Sequence, residues 1–555
     1  MRSKLEIHRD ASMHPGWQRP SASLLLIMAL LGLVLAASPV GASTCSLADH
    51  IRSANSNTSV GGCPRGTSHD IITITEDITL SEALPPITGS VTIEGGGHSI
   101  SGKDAYRIFD VNGGTLDLTN VTLTQGNGGK EVGGAIRLRN SAQVSIAGST
   151  LGDSLATGGG AIAMAGSGNT LTVSSSSFVS NRAEEDGGAI LADGGTLQIS
   201  ESTFERNCAE IAAHRVDIDL TEPRHERSSD EGCPTVTFVW PRPEDIAFSI
   251  EGRGGAIHLL HGARARIVAS TFSRNKGTEG GAVATADGDV HLVISGSSIS
   301  GSRSKGSGGA VDITESSFRD NSAEKRGGVL FGESGSVSIS NSTFHNNRAS
   351  SSGGALLVAG ADVTLTHVTM IDNWAMHSSG GAIHKEEGIV WLRNSLIAAT
   401  ARTDDCSGGI DEMAGNLSAD GTCAILPYSE DLLLGGLTGW PAHYPLLDYS
   451  PAVDAADHKF CLDNDQAGTA RPAGDGCDIG AIESIPVATS ISGCVVTATH
   501  TLNFREGPGG TRFGTVREQS TLSATARTVG WFQVEYRGVI GWISADYVVA
   551  EGDCG

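Results

Sequence analysis

GGAILADGGTLQISESTFERN, residues 187–207, is one copy of a phrase that recurs along the chain. It opens on Gly187-Gly188-Ala189-Ile190, runs through an alternating stretch and closes on Phe204-x-x-Asn207. Gly-Gly-Ala followed by Ile, Val or Leu stands also at Gly133, Gly159, Gly254, Gly280, Gly308, Gly353 and Gly380, with Gly-Gly-Val-Leu at Gly327. The steps between first glycines are 26, 28, 67, 26, 28, 19, 26 and 27 residues. The second half of the phrase returns at Asn181, Asn275, Asn321 and Asn347, with a weaker copy ending at Asn373. A repeat of this length is the signature of a solenoid.

The composition of the repeat selects the kind of solenoid. Each copy carries two glycines and many Ser and Thr, which suits helical repeats poorly, and runs such as TLQIS (196–200) alternate with a period of two, as strands do. Three short strands and three turns fill about 26 residues, so each strand lies parallel to its copy one coil away. Gly-Gly permits a sharp bend with positive φ. The Phe and Ile of successive coils then stack inside, and the asparagines form a ladder at a bend. The reading is an all-β, right-handed parallel β-helix of about eleven coils. An antiparallel up-and-down array fits the glycine period poorly.

Around this centre the chain divides. Residues 1–42 read as a signal peptide: Arg2, Lys4, Arg9 and Arg19 form a basic start, Leu24–Ala37 is a short apolar run, and Val40-Gly41-Ala42 offers a small-x-small cleavage pattern, with Met13 as a second candidate start. This predicts export, with no membrane-spanning run in the mature chain. Net charge is −24, and removing the four basic and two acidic residues of the leader makes it −26. That balance argues against nucleic acid and anionic membranes as partners. Residues 43–68 read as an N-terminal helical cap: Ser46 precedes Asp49 by three residues, and Leu47, Ile51 and Ala54 share one face. The β-helix is expected over 69–400, with an inserted loop over about 208–253 that accounts for the 67-residue step. Trp240, in FVWPRPED (238–245), is that loop's candidate ligand-binding residue.

Ten cysteines follow the leader, in five sequence-adjacent pairs: Cys45 and Cys63, Cys208 and Cys233, Cys406 and Cys423, Cys461 and Cys477, Cys494 and Cys554. An even count in an exported chain predicts disulfides, although sequence does not fix the pairing. There is no Cys-x-x-Cys, and the calcium-loop-like start at Asp463, Asp465 and Gly468 puts Ala467 and Gly474 where oxygen ligands are needed. No metal or cofactor is expected.

CSLADHIRSANSNTSVGGCP (45–64), with the strands that follow, resembles the opening of a large family of secreted bacterial right-handed β-helix proteins whose members begin Cys-Ser-Leu-Arg-Glu-Ala. Cys45, Ser46 and Leu47 match, while Ala48, Asp49 and His50 depart. The Gly-Gly-Ala-Ile and Phe-x-x-Asn pairs resemble the repeats of chlamydial polymorphic outer membrane proteins. Asp465, Arg471, Pro472, Asp478, Gly480 and Glu483 match the closing segment of the first family, which implies a structural C-terminal cap over 401–485. In 486–555, LNFREGPGG (502–510), WFQVEY (531–536) and GWISADYV (541–548) resemble the bacterial SH3 domain, related copies of which bind cell-wall peptides or peptidoglycan. Trp531, Trp542 and Tyr547 are its candidate ligand-binding residues. A domain this small needs one or two of them for its core, which leaves a surplus aromatic for the surface.

Pectate lyases and polygalacturonases share the β-helix architecture, and in a solenoid their catalytic groups would stack in the columns that repeats create. The residues four after each first glycine are Arg137, Ala163, Leu191, His258, Ala284, Asp312, Phe331, Leu357 and His384, and they hold no acidic cluster. Asp404-Asp405 lies beyond the regular coils, and His258 and His261 lack the Glu of a zinc-protease helix. The expected function is a secreted or cell-surface binding, adhesin-like protein whose partners are peptidoglycan or surface glycans and peptides, with no catalytic residues. A polysaccharide lyase or glycoside hydrolase is the alternative, and a passive structural spacer the next.

Overall fold

The computed structural model describes residues 45–209, 254–277, 282–285, 290–304, 312–323, 326–332, 335–376, 380–398, 404–424, 431–485, 488–508, 512–528 and 530–554. The proposed leader and Trp240 lie outside these.

Among the described residues the fold is all-β: a parallel β-helix of about ten turns, one α-helix, and an antiparallel module consistent with an SH3 domain. On the first face, Ser90–Glu94, Thr115–Thr119, Gln143–Ala147, Thr170–Ser174, Thr196–Ser200, Arg264–Val268 and His291–Ser295 pair in parallel, one coil apart. A second face carries the Phe-containing strands, among them Ser177–Val179, Thr203–Glu205 and Thr271–Ser273. A third is a six-stranded sheet running from Phe109–Asn112 to Val283–Thr285. The sequence reading assigned three strands to each coil; there is a fourth, of two residues, directly after the Asn. Eight such strands stack from Leu155–Ala156 to Trp374–Ala375. Their inward residue is small, as at Ala183, Ala323 and Ala349, which lets so short a strand pass close to the core.

Three ladders run through the middle coils of the helix. Phe178, Phe204 and Phe272 stack with centroids 4.6 and 4.7 Å apart, and Phe318 and Phe344 at 4.8 Å. Asn181, Asn207, Asn321 and Asn347 each donate a side-chain N–H to the side-chain oxygen of the Asn one coil on (2.9–3.1 Å) and another to a backbone carbonyl one coil back. Fully buried amides of this kind are stabilising only when their groups are paired, and these are. The third ladder escaped the sequence reading. Ser149, Ser176, Ser202, Ser270, Ser297, Ser316 and Ser342 line the corner between the first and second faces; the Ser149 hydroxyl oxygen accepts the backbone N–H of Val121, and each of the others accepts that of the serine one coil before it.

The Gly-Gly pairs are needed for two different reasons. Gly187 has φ +67°, and a Cβ on Gly188 would meet the carbonyl oxygen of Gly255 in the next coil at 2.1 Å. The first glycine supplies a left-handed bend, the second close passage of backbone.

One coil departs from the pattern. Ser297 and Ser316 are 19 residues apart, against 26 or 27 elsewhere in the ladder, the 68-residue step from Ser202 to Ser270 across the insertion apart. Asp312 therefore falls on the first face, opposite Val293 and Ser338, and not in the column of Arg137, where counting from Gly308 had put it. In this coil Ile299 occupies the Phe position and Ser302 the Asn position.

The ends are covered differently. Helix α1 (Leu47–Ser56) is N-capped by Ser46, whose hydroxyl accepts from the Asp49 N–H, and it lays Leu47, Ile51 and Ala54 on the first coils. The Asn55 side chain ties it down through Pro86, Thr88 and Gly89. Such a lid protects exposed strand edges. At the other end the Cys406–Cys423 disulfide joins the last coils, with Cys423 inside the core. Residues 431–483 then fold back along the outer side of the second face, where Leu432, Ala452 and Ile479 pack on Ile371, Leu396 and Leu417.

Cys45–Cys63, Cys461–Cys477 and Cys494–Cys554 are also bonded. Cys208 is disulfide-bonded as well, and Cys233 lies outside the described residues.

Candidate functional site

The module after the β-helix is a seven-stranded antiparallel sheet spanning Thr489–Gly552. Alternation along Trp531–Tyr536 sends Phe532 and Val534 into a core with Val496, Phe504, Val516 and Ile543. The turn to the next strand is Arg537-Gly538, both with positive φ (55° and 78°), as a tight hairpin requires. Cys494–Cys554 staples the first strand to the chain just after the last.

The three candidate aromatics separate. Trp531 and Trp542 are 4% and 7% exposed and form a cluster with Ala526 apart from the main core. Neither offers a ring face to solvent. Tyr547 is 51% exposed. It sits at the end of a single 3-10 turn, Ala545–Tyr547, capped by Ser544. The Thr499 N–H and hydroxyl both donate to its carbonyl oxygen at 2.9 Å, and the His500 ring meets its ring edge-on at 5.9 Å. Tyr547 is thus an exposed ring on a fixed backbone, with the His500 imidazole beside it and exposed Asp546 preceding it. Glu506 is exposed too.

A second aromatic edge escaped the sequence reading. Phe513, 43% exposed, packs on Phe504 at 4.8 Å, and both rings lie over Gly541, where a Cβ would come within 2.6–2.8 Å of them. Exposed Ile540 is adjacent in the chain. The signal was Gly541 itself, which sits in the middle of an otherwise apolar strand.

In the β-helix, the sought column is real over Arg137, Ala163, Leu191, His258 and Ala284, and again over Phe331, Leu357 and His384. Its two histidines differ: His384 Nδ1 is 2.6 Å from the Ser407 hydroxyl, whereas His258 is fully buried with Nδ1 3.4 Å from Asp186 and neither ring nitrogen hydrogen-bonded among the described residues. Asp405 is buried and accepts from the Ser418 hydroxyl and the Asp420 N–H, which fixes the last coil. Cys45, His50 and Cys63 lie within 4.8 Å of one another, but the two sulfurs are joined to each other.

On the outer side of the third face Asp110 is held by arginines. Asp110 receives two hydrogen bonds from Arg137 (3.1 and 2.9 Å) and two from Arg139 (3.1 and 3.0 Å). Burial pushes its carboxyl up, but these bonds and charges outweigh burial and bring it down to about 2. A depressed carboxylate stabilises the fold above its unfolded value and loses that contribution as pH falls through its folded one. Asp110→Asn is therefore expected to cost about 2 kcal/mol at neutral pH. Denaturant melts should show parent and variant converging as pH drops below 4 towards 2; a pH-independent gap would contradict this.

Residues 500–549 match the bacterial SH3 domain family, and residues 341–359 match the Chlamydia polymorphic membrane protein repeat. No curated protein matches the chain. With the coordinates, these matches make the chain a parallel β-helix repeat protein carrying a bacterial SH3 domain. Among the described residues no helix is long and apolar enough to cross a membrane.

Proposed function

We propose that the protein is an exported, cell-surface or extracellular binding protein in which the β-helix is a rigid carrier and the SH3 domain the ligand-engaging part. The ligand class is the peptide of a bacterial cell wall. The observation that carries the reading is the exposed Tyr547 ring, held edge-on against His500 in a segment that matches the bacterial SH3 family. An aromatic ring on a fixed turn contacts an extended peptide without first being ordered, as aromatic-lined peptide grooves do. Asp546 and Glu506 place negative charge on the same domain, which favours amine-bearing stem peptides. Trp531 and Trp542 support the site from below the surface and do not touch the ligand in this reading.

The test is co-sedimentation of the full-length disulfide-bonded protein with purified peptidoglycan sacculi. The parent is expected in the pellet. Truncating an anchoring aromatic costs more than about 1–2 kcal/mol, so Tyr547→Ala should weaken retention roughly 5- to 30-fold with no change in melting temperature. A parent that stays in the supernatant across a range of salt would leave the domain a structural appendage.

A further inference from the structure

We propose that the SH3 domain does not swing on its linker but is docked on the C-terminal cap of its own β-helix, with the sheet face that carries Trp531 and Trp542 as the docking surface. Residues 484–488 alone separate Glu483, fixed inside the cap by Arg471, from Thr489, where the first strand of the domain opens. Domains joined in one chain move relative to one another by default, unless an apolar interface holds them.

The strands decide which face is available. Phe532, Val534 and Ile543 point into the domain core, so Trp531 and Trp542 stand on the opposite face of the sheet. Ala526 completes the tryptophan cluster. Arg505 lies on the same face, in register with Trp542, and its guanidinium is 6.0 Å from the centre of the Trp531 ring. The outer face of a small antiparallel sheet is ordinarily wet. Two indole rings that are almost wholly buried there need a cover that one alanine does not supply.

The cap supplies it. Gly530, directly before Trp531, meets Asp475 of the cap: a Cβ on this glycine would come within 3.4 Å of the carboxylate. The surroundings of that carboxyl come from both partners. Burial, Asp454 of the cap and Asp546 of the SH3 domain push it up, and Arg505 of the domain draws it down. Three separate places on the domain thus converge on one cap residue. The loop that presents Asp475 is itself held: the Ala473 N–H donates to Glu483, the Gly476 N–H donates to Asp454, and Cys477 is bonded to Cys461. Tyr547 follows Asp546 directly and is 51% exposed, so docking fixes the direction in which its ring faces without covering it. The docking does not depend on what that ring binds.

Pairs of substitutions in the full-length protein test this. Asp475→Cys combined with Gly530→Cys should close a disulfide under mild oxidation, seen by peptide mapping without reduction. Asp475→Cys combined with Glu518→Cys is the control. Glu518 and Gly530 lie beyond opposite ends of the 8-residue strand Thr521–Thr528, so they are at least roughly 25 Å apart. A freely tethered domain would bring both sites to Asp475 at similar effective concentration, and both pairs would close alike. A docked domain should close the first pair at least about tenfold faster than the second. Hydroxyl-radical labelling of the parent reads the tryptophan face directly: Trp531 and Trp542 should be oxidised much more slowly than Trp440, which is 56% exposed on the cap. The proposal is overturned if the two pairs close at the same rate, if the first does not close, or if Trp531 and Trp542 are labelled as fast as Trp440.

Discussion

Phe344→Ala is expected to destabilise the coils around it by about 3–5 kcal/mol, the range for emptying a buried aromatic site. Phe344 is fully buried, its ring stacked 4.8 Å from Phe318 and its Cα in register with Met370 on the other side. The void cannot collapse easily, because backbone spacing along the stack is set by the strand ladder and not by the side chain. A solenoid's coils contact only their neighbours, so the loss should stay local. Heating the variant with a protease present should therefore cut first within about 312–376, ahead of the remainder of the helix. Ile299 occupies the same column naturally, which shows that a smaller apolar residue fits the lattice. Phe344→Leu should accordingly cost less than about 1.5 kcal/mol. If Phe344→Ala melts and digests like the parent, the ring does not hold these coils together.

The repeat was legible because each of its marker residues has one physical job. Gly187 bends the chain, Gly188 lets the neighbouring coil pass, Phe204 fills the interior and Asn207 closes a ladder. The serine before each Phe went unread since a Ser in a polar stretch looks like solvent-facing surface; only stacking turns Ser202 into a buried acceptor. The fourth strand went unread for a similar reason. Arg182-Ala183 is too short for any period to register, and parallel stacking makes it a strand. The misplacement of Asp312 came from counting by the glycine clock through a coil that had lost residues. In the SH3 domain alternation placed Phe532, Val534 and Ile543 correctly in the core. It did not indicate which of Trp531, Trp542 and Tyr547 stays outside, because that depends on what covers the far side of the sheet.

Arg471→Met is expected to release the fold-back cap at a cost of about 3–5 kcal/mol, the range for breaking a buried ion pair. Arg471 and Glu483 have side chains with no exposure and meet at 2.7 Å. The guanidinium also donates to the carbonyl oxygens of Asp478 and Gly480, which gathers the closing loop around one charge. That loop is what grips the β-helix: the Ala481 N–H donates to the Thr369 hydroxyl, the Thr343 hydroxyl to Gln466, and the Asn341 amide to the Asn464 carbonyl. Without the guanidinium, three buried carboxylates (Asp465, Asp478 and Glu483) share the site with no cation among them. Burial already pushes Asp478 up to about 6, with Glu483 adding to the rise. A carboxyl raised in the folded state favours folding below its unfolded value and withdraws that support as pH rises through its folded one. In the variant the loss of the neighbouring positive charge moves Asp478 further in this direction. Its deficit should therefore be largest above pH 6 and shrink as the buffer is taken towards about 4, where Asp478 holds its proton. Arg471→Lys should recover little, because one ammonium cannot reach Glu483 and both carbonyl oxygens together. Proteolysis at neutral pH should find new cleavage within 431–485, where apolar Ile371 and Leu396 lose their cover. A deficit that is the same at every pH would mean that the arginine acts by filling space and not by balancing the carboxylates around it.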